Sequence, residues 1–184
     1  MENKKIMELQ FNKSAQQAFD VAAVDTIPPD DAYPVRKKTD PYGREYYGVS
    51  HFWHTDEQID PARDLSWMEW DGNEINVTNE ISGDAGCLFR KTVGILKGWQ
   101  AQMEREFPDA QFALLASYDD GSDLIEESDP FFGFTLRFWK IRAGQGPEID
   151  VDRFDQPVMM LRVPARLAEP VTEKDPLEDI IRRI

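Results

Sequence analysis

The stretch from Asp84 to Pro108 constrains the fold more than any other part of the chain. Leu88, Thr92, Ile95, Leu96, Trp99, Met103 and Phe107 recur on one helical face, Ser82-Gly83-Asp84 offers capping groups at the start, and Pro108 stops the helix. A stripe this long must be covered by something broad, and the segments after it provide a sheet. Gln111 to Tyr118 alternates, with Phe112, Leu114, Ala116 and Tyr118 on one side. Phe131 to Ile141 does the same, placing Phe132, Phe134, Leu136 and Phe138 on one side and Thr135, Arg137 and Trp139 on the other. The apolar run from Val158 to Val163, followed by Pro164, reads as an edge strand. Gly94 and Gly98 lower helix propensity, and they are expected to let a strand approach closely.

Upstream, aromatic and β-branched residues predict a three-stranded antiparallel meander. Its strands carry Tyr46, Tyr47, Val49, Phe52 and Trp53, then Leu65, Trp67, Met68 and Trp70, then Ile75, Val77 and Ile81 after the turn signal Asp71-Gly72-Asn73. Ser14-Ala15-Gln16-Gln17 fits a capping box and predicts a helix from Ala15 to Val24, which ends before Ile27-Pro28-Pro29. Residues 28–43 hold several prolines and read as a long surface loop, either packed on the domain or a mobile linker. At the far end, Leu177, Ile180, Ile181 and Ile184 form an apolar stripe on a short predicted helix, 175–184, that must dock on its own domain, on a partner or on a second copy. The expected class is α+β: a mostly antiparallel sheet of five to six strands covered on one face by a long helix, with an N-terminal helix and arm and a short C-terminal helix. The expected division is an arm at 1–44, a core domain at 45–165 and a tail at 166–184.

Charge sets the functional expectations. Asp and Glu total 35 against 21 Lys and Arg, a net −14 over 184 residues, which repels phosphate backbones and anionic membranes. The basic clusters Lys4-Lys5 and Arg36-Lys37-Lys38 are too short to form a binding stripe. The single Cys87 cannot form an intramolecular disulfide and is expected to be a packed thiol near a helix start. With no apolar leader and no run long enough to span a bilayer, a soluble cytoplasmic protein is expected.

Groups that could carry chemistry are sparse. His51 and His54 would point to opposite faces of a strand, which prevents chelation without a bulge. Asp119, Asp120, Asp123, Glu126, Glu127 and Asp129 resemble a calcium loop, but an EF-hand with its glycine at Gly121 would begin at Ala116, which cannot ligate. Gly83-Asp84-Ala85-Gly86 lacks the lysine of a phosphate loop. Glu69, Asp71, Glu74 and Glu80 are plentiful acids with nothing to select a catalytic pair. A second acidic run, Glu148, Asp150, Asp152 and Asp155, surrounds Arg153. Among the five tryptophans, Trp67 and Trp70 have opposite strand parity, so one of them lies under the arm or stands as an exposed anchor.

The expectation is a non-enzymatic acidic protein-binding module without a cofactor, an inhibitor or immunity-type protein that neutralises a basic, nucleic-acid-handling partner. Its contact residues would be Asp119, Asp120, Asp123, Glu126, Glu127, Asp129, Glu148, Asp150, Asp152 and Trp70. The alternatives are a structural subunit of a larger or phage-like assembly, self-associating through the C-terminal helix, and a carboxylate- or metal-dependent hydrolase.

Overall fold

A computed structural model describes residues 9–50, 59–78, 84–121 and 132–163. Their elements, in chain order, are β1 (Gln10–Phe11), α1 (Lys13–Ala18), a 3-10 turn (Val21–Thr26), β2 (Arg36–Thr39), β3 (Glu45–Gly48), α2 (Leu65–Gly72), β4 (Ile75–Thr78), α3 (Ala85–Glu106), β5 (Phe112–Asp119), β6 (Gly133–Lys140), a 3-10 turn (Val151–Arg153) and β7 (Val158–Val163). Five strands form one antiparallel sheet in the order β1-β7-β5-β6-β4, and β2 and β3 form a separate hairpin. The α+β class with a long helix on one sheet face holds.

The alternation on β5 and β6 falls as expected. Phe112, Leu114, Ala116 and Tyr118 join Phe134, Leu136 and Phe138 in the main core, against Leu88, Val93, Ile95, Leu96, Trp99 and Met103 of α3. Asp84 caps α3, its carboxylate accepting from the amides of Gly86 and Cys87. The Cys87 thiol is exposed rather than packed, because it lies on the solvent side of that first turn.

Four expectations about individual elements are corrected. Leu65 to Gly72 is a helix, not the middle strand of a meander: Asp64 caps it at the amide of Trp67, and Leu65, Met68 and Gly72 make its buried stripe. The N-terminal α-helix is shorter than predicted, and its cap is Asn12 in place of the Ser14 box. Residues 36–39, expected in a loop, form a strand with β3, and the buried Asp40 clips the turn by accepting from the amides of Tyr42 (2.9 Å) and Arg44 (2.8 Å) and from Arg44 Nε (2.7 Å). Strand β7 is interior, because β1 pairs along its outer side, Gln10 with Met160 and Phe11 with Met159.

The glycines of α3 do receive a close neighbour, but it is the N-terminal arm and not a strand. A Cβ on Gly98 would sit 2.0 Å from the Asp30 carbonyl oxygen, and the Asp30 amide donates to the Gly94 carbonyl at 2.8 Å. Farther along, Trp99 Nε1 donates to the Tyr33 carbonyl (2.7 Å), and Gln102 pairs with both backbone groups of Val35. Lys97 Nζ donates to the carbonyls of Val24 and Ile27. The arm between Val24 and Val35 is therefore packed, with Val24, Ile27 and Val35 in the main core.

Candidate functional site

The sheet face away from α3 carries the features that are not explained by core packing. Helix α2 is fixed beside it by two buried polar residues. Glu69, wholly buried, accepts from the amides of Tyr47 (2.9 Å) and Lys140 (2.7 Å) and from both terminal nitrogens of Arg142 (2.8 Å each). Asn73 accepts from the Val49 amide and donates to the carbonyls of Tyr47 and Phe138. These side chains take the place of a strand between β3 and the second half of β6, where β4 has already ended. Burial pushes the Glu69 carboxyl above its ordinary range, and Arg142 and the two amides offset only part of that rise. Since every partner is a donor, the carboxylate is the form the site holds, and it has no lone pair left for a substrate.

Register places Arg162, Ala113 and Trp139 side by side across β7, β5 and β6, and Met160, Leu115 and Arg137 in the next row. Trp139 is almost fully buried and meets Trp70 edge to face at 5.0 Å, and Trp70 in turn meets Trp67 at 6.5 Å. Arg137 lies 5.0 Å over the Trp70 ring and pairs with Glu74. Trp67 ends this aromatic row 45% exposed. On the α2 helix the two residues are three apart and share a side, which resolves the parity conflict that a strand would have imposed.

The chain between β6 and β7 returns across this face as a strap. Ile149, Val151 and Phe154 pack onto Ala113, Leu115, Trp139, Val158 and Met160, while Glu148, Asp150, Asp152 and Asp155 are exposed. At one end Gly146 seats the strap: its φ is +81°, and a Cβ there would come within 2.7 Å of Ser66 and 3.2 Å of Trp139. At the other end Asn12 Nδ2 donates to the carbonyls of Phe154 (3.0 Å) and Gln156 (2.8 Å), and Ser14 Oγ donates to that of Asp155. Beside the strap's first half a cavity of about 600 Å³ opens between Trp139, Ala113, Met160, Ile149, Arg162 and Glu148.

The predicted contact residues separate as follows. Glu148, Asp150 and Asp152 lie on the strap, with Asp150 paired to Arg153 across one turn. Asp119 and Asp120 are exposed at the end of β5, and the Tyr118 amide donates to the Pro157 carbonyl there, so the strap's exit and these two acids lie at one end of the sheet. Trp70 is half-buried within the aromatic row, and the exposed anchor is Trp67. Asp123, Glu126, Glu127, Asp129, His51, His54, Glu80 and the C-terminal helix lie outside the described residues. Asp71 pairs with Arg63 and Glu74 with Arg137. Among the described residues no three His, Cys, Asp or Glu side chains gather as a metal site, and no helix is long and apolar enough to cross a membrane.

Sequence reasoning missed the strap, although its signal was present: from Glu148 to Asp152 acids alternate with Ile149 and Val151. It named Glu69 only as one of several acids with nothing to select it, and it missed Arg142, which nothing in its local sequence distinguishes from other charged residues. No protein-family model matches the chain, and neither the curated proteins nor the solved structures contain a significant match.

Proposed function

We propose that the protein is a non-enzymatic binding module that engages a basic surface of another protein through the strap and Trp67. The observation that carries this reading is the alternation along the strap, which turns Ile149 and Val151 to the sheet and leaves Glu148, Asp150 and Asp152 exposed. Only Asp150 among them has an ionic partner in the described residues. Carboxylates on a backbone held at both ends lose little freedom on meeting a cation, and they speed encounter with a basic partner. Trp67, exposed on α2, offers the kind of aromatic anchor that dominates interface energetics. The function in view is stoichiometric neutralisation of a basic, nucleic-acid-handling protein in the manner of an inhibitor or immunity protein.

The test is affinity capture from native lysate with the wild type, Trp67→Ala and the triple variant Glu148→Gln/Asp150→Asn/Asp152→Asn. The expected outcome is one basic protein held stoichiometrically by the wild type at low salt, released at high salt and lost from both variants. Equal recovery by all three proteins, or recovery indifferent to salt, would remove this reading.

A further inference from the structure

We propose that the segment carrying β1, Asn12 and Ser14 is a latch for the acidic strap: docked along β7 it fastens the strap, and when it lifts the strap's exit is released with it. The strap's polar attachments are unevenly placed. At the entry, the Gly146 amide donates to Asp64 Oδ2 at 2.8 Å. From Pro147 to Gln156, the only hydrogen bonds to the rest of the described chain are those that Asn12 donates to the carbonyls of Phe154 and Gln156 and that Ser14 donates to the carbonyl of Asp155. Beyond Gly146, the backbone that bears Glu148, Asp150, Asp152 and Asp155 is therefore held by these two side chains and by the apolar contacts of Ile149, Val151 and Phe154.

The same two side chains belong to a peripheral part of the sheet. Strand β1 is an edge strand that meets β7 over two residues, and Phe11, half-buried against Phe89 at a ring distance of 6.4 Å, anchors it on the sheet face opposite the strap. Asn12 joins the two sides. Its amide donates to the Val158 carbonyl at 3.1 Å and its Oδ1 accepts from the Val158 amide, while its Nδ2 holds the strap. Lifting β1 breaks the ladder and the strap's attachments in one event, because the backbone of Asn12 lies in the ladder and its side chain in the strap. A short edge element of this kind opens at lower free energy than the core behind it. Once released, the carboxylates lose their fixed arrangement, and ordering them again opposes contact with a cation. That bearing on partner capture rests on the reading proposed above, whereas the latch itself does not.

The experiment follows trypsin cleavage of the native full chain by mass spectrometry. It compares initial rates of cutting after Lys13, in the latch, and after Arg153, whose side chain is 84% exposed on the strap. Cutting after Arg90 of α3 and Arg137 of β6 reports opening of the core. Phe11→Ala removes the anchor on the far sheet face, and it should speed cutting at Lys13 and Arg153 together, by about tenfold, with Arg90 and Arg137 unchanged. Asn12→Ser keeps a side-chain oxygen to cap α1 but has no amide to reach the strap, so it should speed Arg153 more than Lys13. Should Phe11→Ala open the core as well, Asn12→Ser decides. Faster cutting at Lys13 with Arg153 unchanged in Phe11→Ala, or an unchanged rate at Arg153 in Asn12→Ser, would overturn the latch. Capture from lysate tests its use: Phe11→Ala/Asn12→Ser, with the charge of the wild type, should recover less of the basic partner, and equal recovery would overturn the regulatory role. A wild type that captures no basic protein would instead defeat the proposed function, with the latch still decided by the trypsin rates.

Discussion

Asn12 uses its side-chain amide fully: Oδ1 accepts from the amides of Ala15 (2.9 Å) and Val158 (3.0 Å), and Nδ2 donates to Phe154 and Gln156. Asn12→Ala should lower stability by about 2–4 kcal/mol in urea unfolding, since several buried backbone groups lose their partner together. Asn12→Asp should cost more than Asn12→Ala, because it sets a carboxylate against two carbonyl oxygens; equal losses would mean that only the cap at Ala15 matters. Arg142→Met leaves the Glu69 carboxylate buried without its cation and should cost about 3–5 kcal/mol, with part recovered in the double variant that adds Glu69→Gln. The clip at Asp40 predicts a pH effect. Burial pushes its carboxyl up, but the Arg44 amide and guanidinium and the Tyr42 amide outweigh that and hold it below its ordinary value. A depressed folded value stabilises the hairpin above the unfolded Asp range, and this is lost as pH falls through the folded value; a carbon-13 titration of Asp40 with a midpoint at or above the ordinary value would contradict it. None of these roles was legible beforehand. Asn12, Asp40 and Glu69 act on backbone groups far away in sequence or across a turn, and residue type alone does not say which of many polar side chains will be enclosed.

Elements were legible where one periodicity dominated. Helix α3 and strands β5 and β6 emerged because Pro108 separates a helical stripe from strict alternation, and each buries the face its period marks. Helix α2 was misread because Trp67 and Trp70 favour strands and obscured the stripe of Leu65, Met68 and Gly72. The Asp64 cap, three residues before Trp67, was the available signal. Strand β7 was misplaced because its neighbour β1 spans only Gln10–Phe11, too short to show a period. The candidate site was half legible: its acids and tryptophans were visible, but their assembly on one sheet face depends on α2 and the strap. The packing of the arm on α3 gives a test at this scale. Gly98→Ala raises helix propensity by about 1 kcal/mol yet drives a Cβ into the Asp30 carbonyl, so a net loss of roughly 1–3 kcal/mol is expected. Hydrogen exchange at the Asp30 amide, bonded to Gly94, should rise in the same variant, and a stabilised Gly98→Ala protein would show that the arm yields freely.

Across the whole molecule, the arm, hairpin and sheet share one core: Phe19, Val24, Ile27 and Val35 pack in the same cluster as Tyr47, Phe112 and Phe138. Unfolding is therefore expected to be a single cooperative transition, with the Val35 amide, held by Gln102, protected to the same free energy as the amides of β5. Early exchange at Val35 with β5 still protected would instead make the arm a separate unit. The pairing of β1 with β7 adds a kinetic consequence. The Asn12 side chain meets the Val158 amide across 146 positions of chain, so the first described strand has no ladder to join until the last one exists. A chain emerging from the ribosome can wind α3 early, but β1 must wait for β7. Closing so long a loop makes late, slow docking of the N-terminal strand the natural final step of folding.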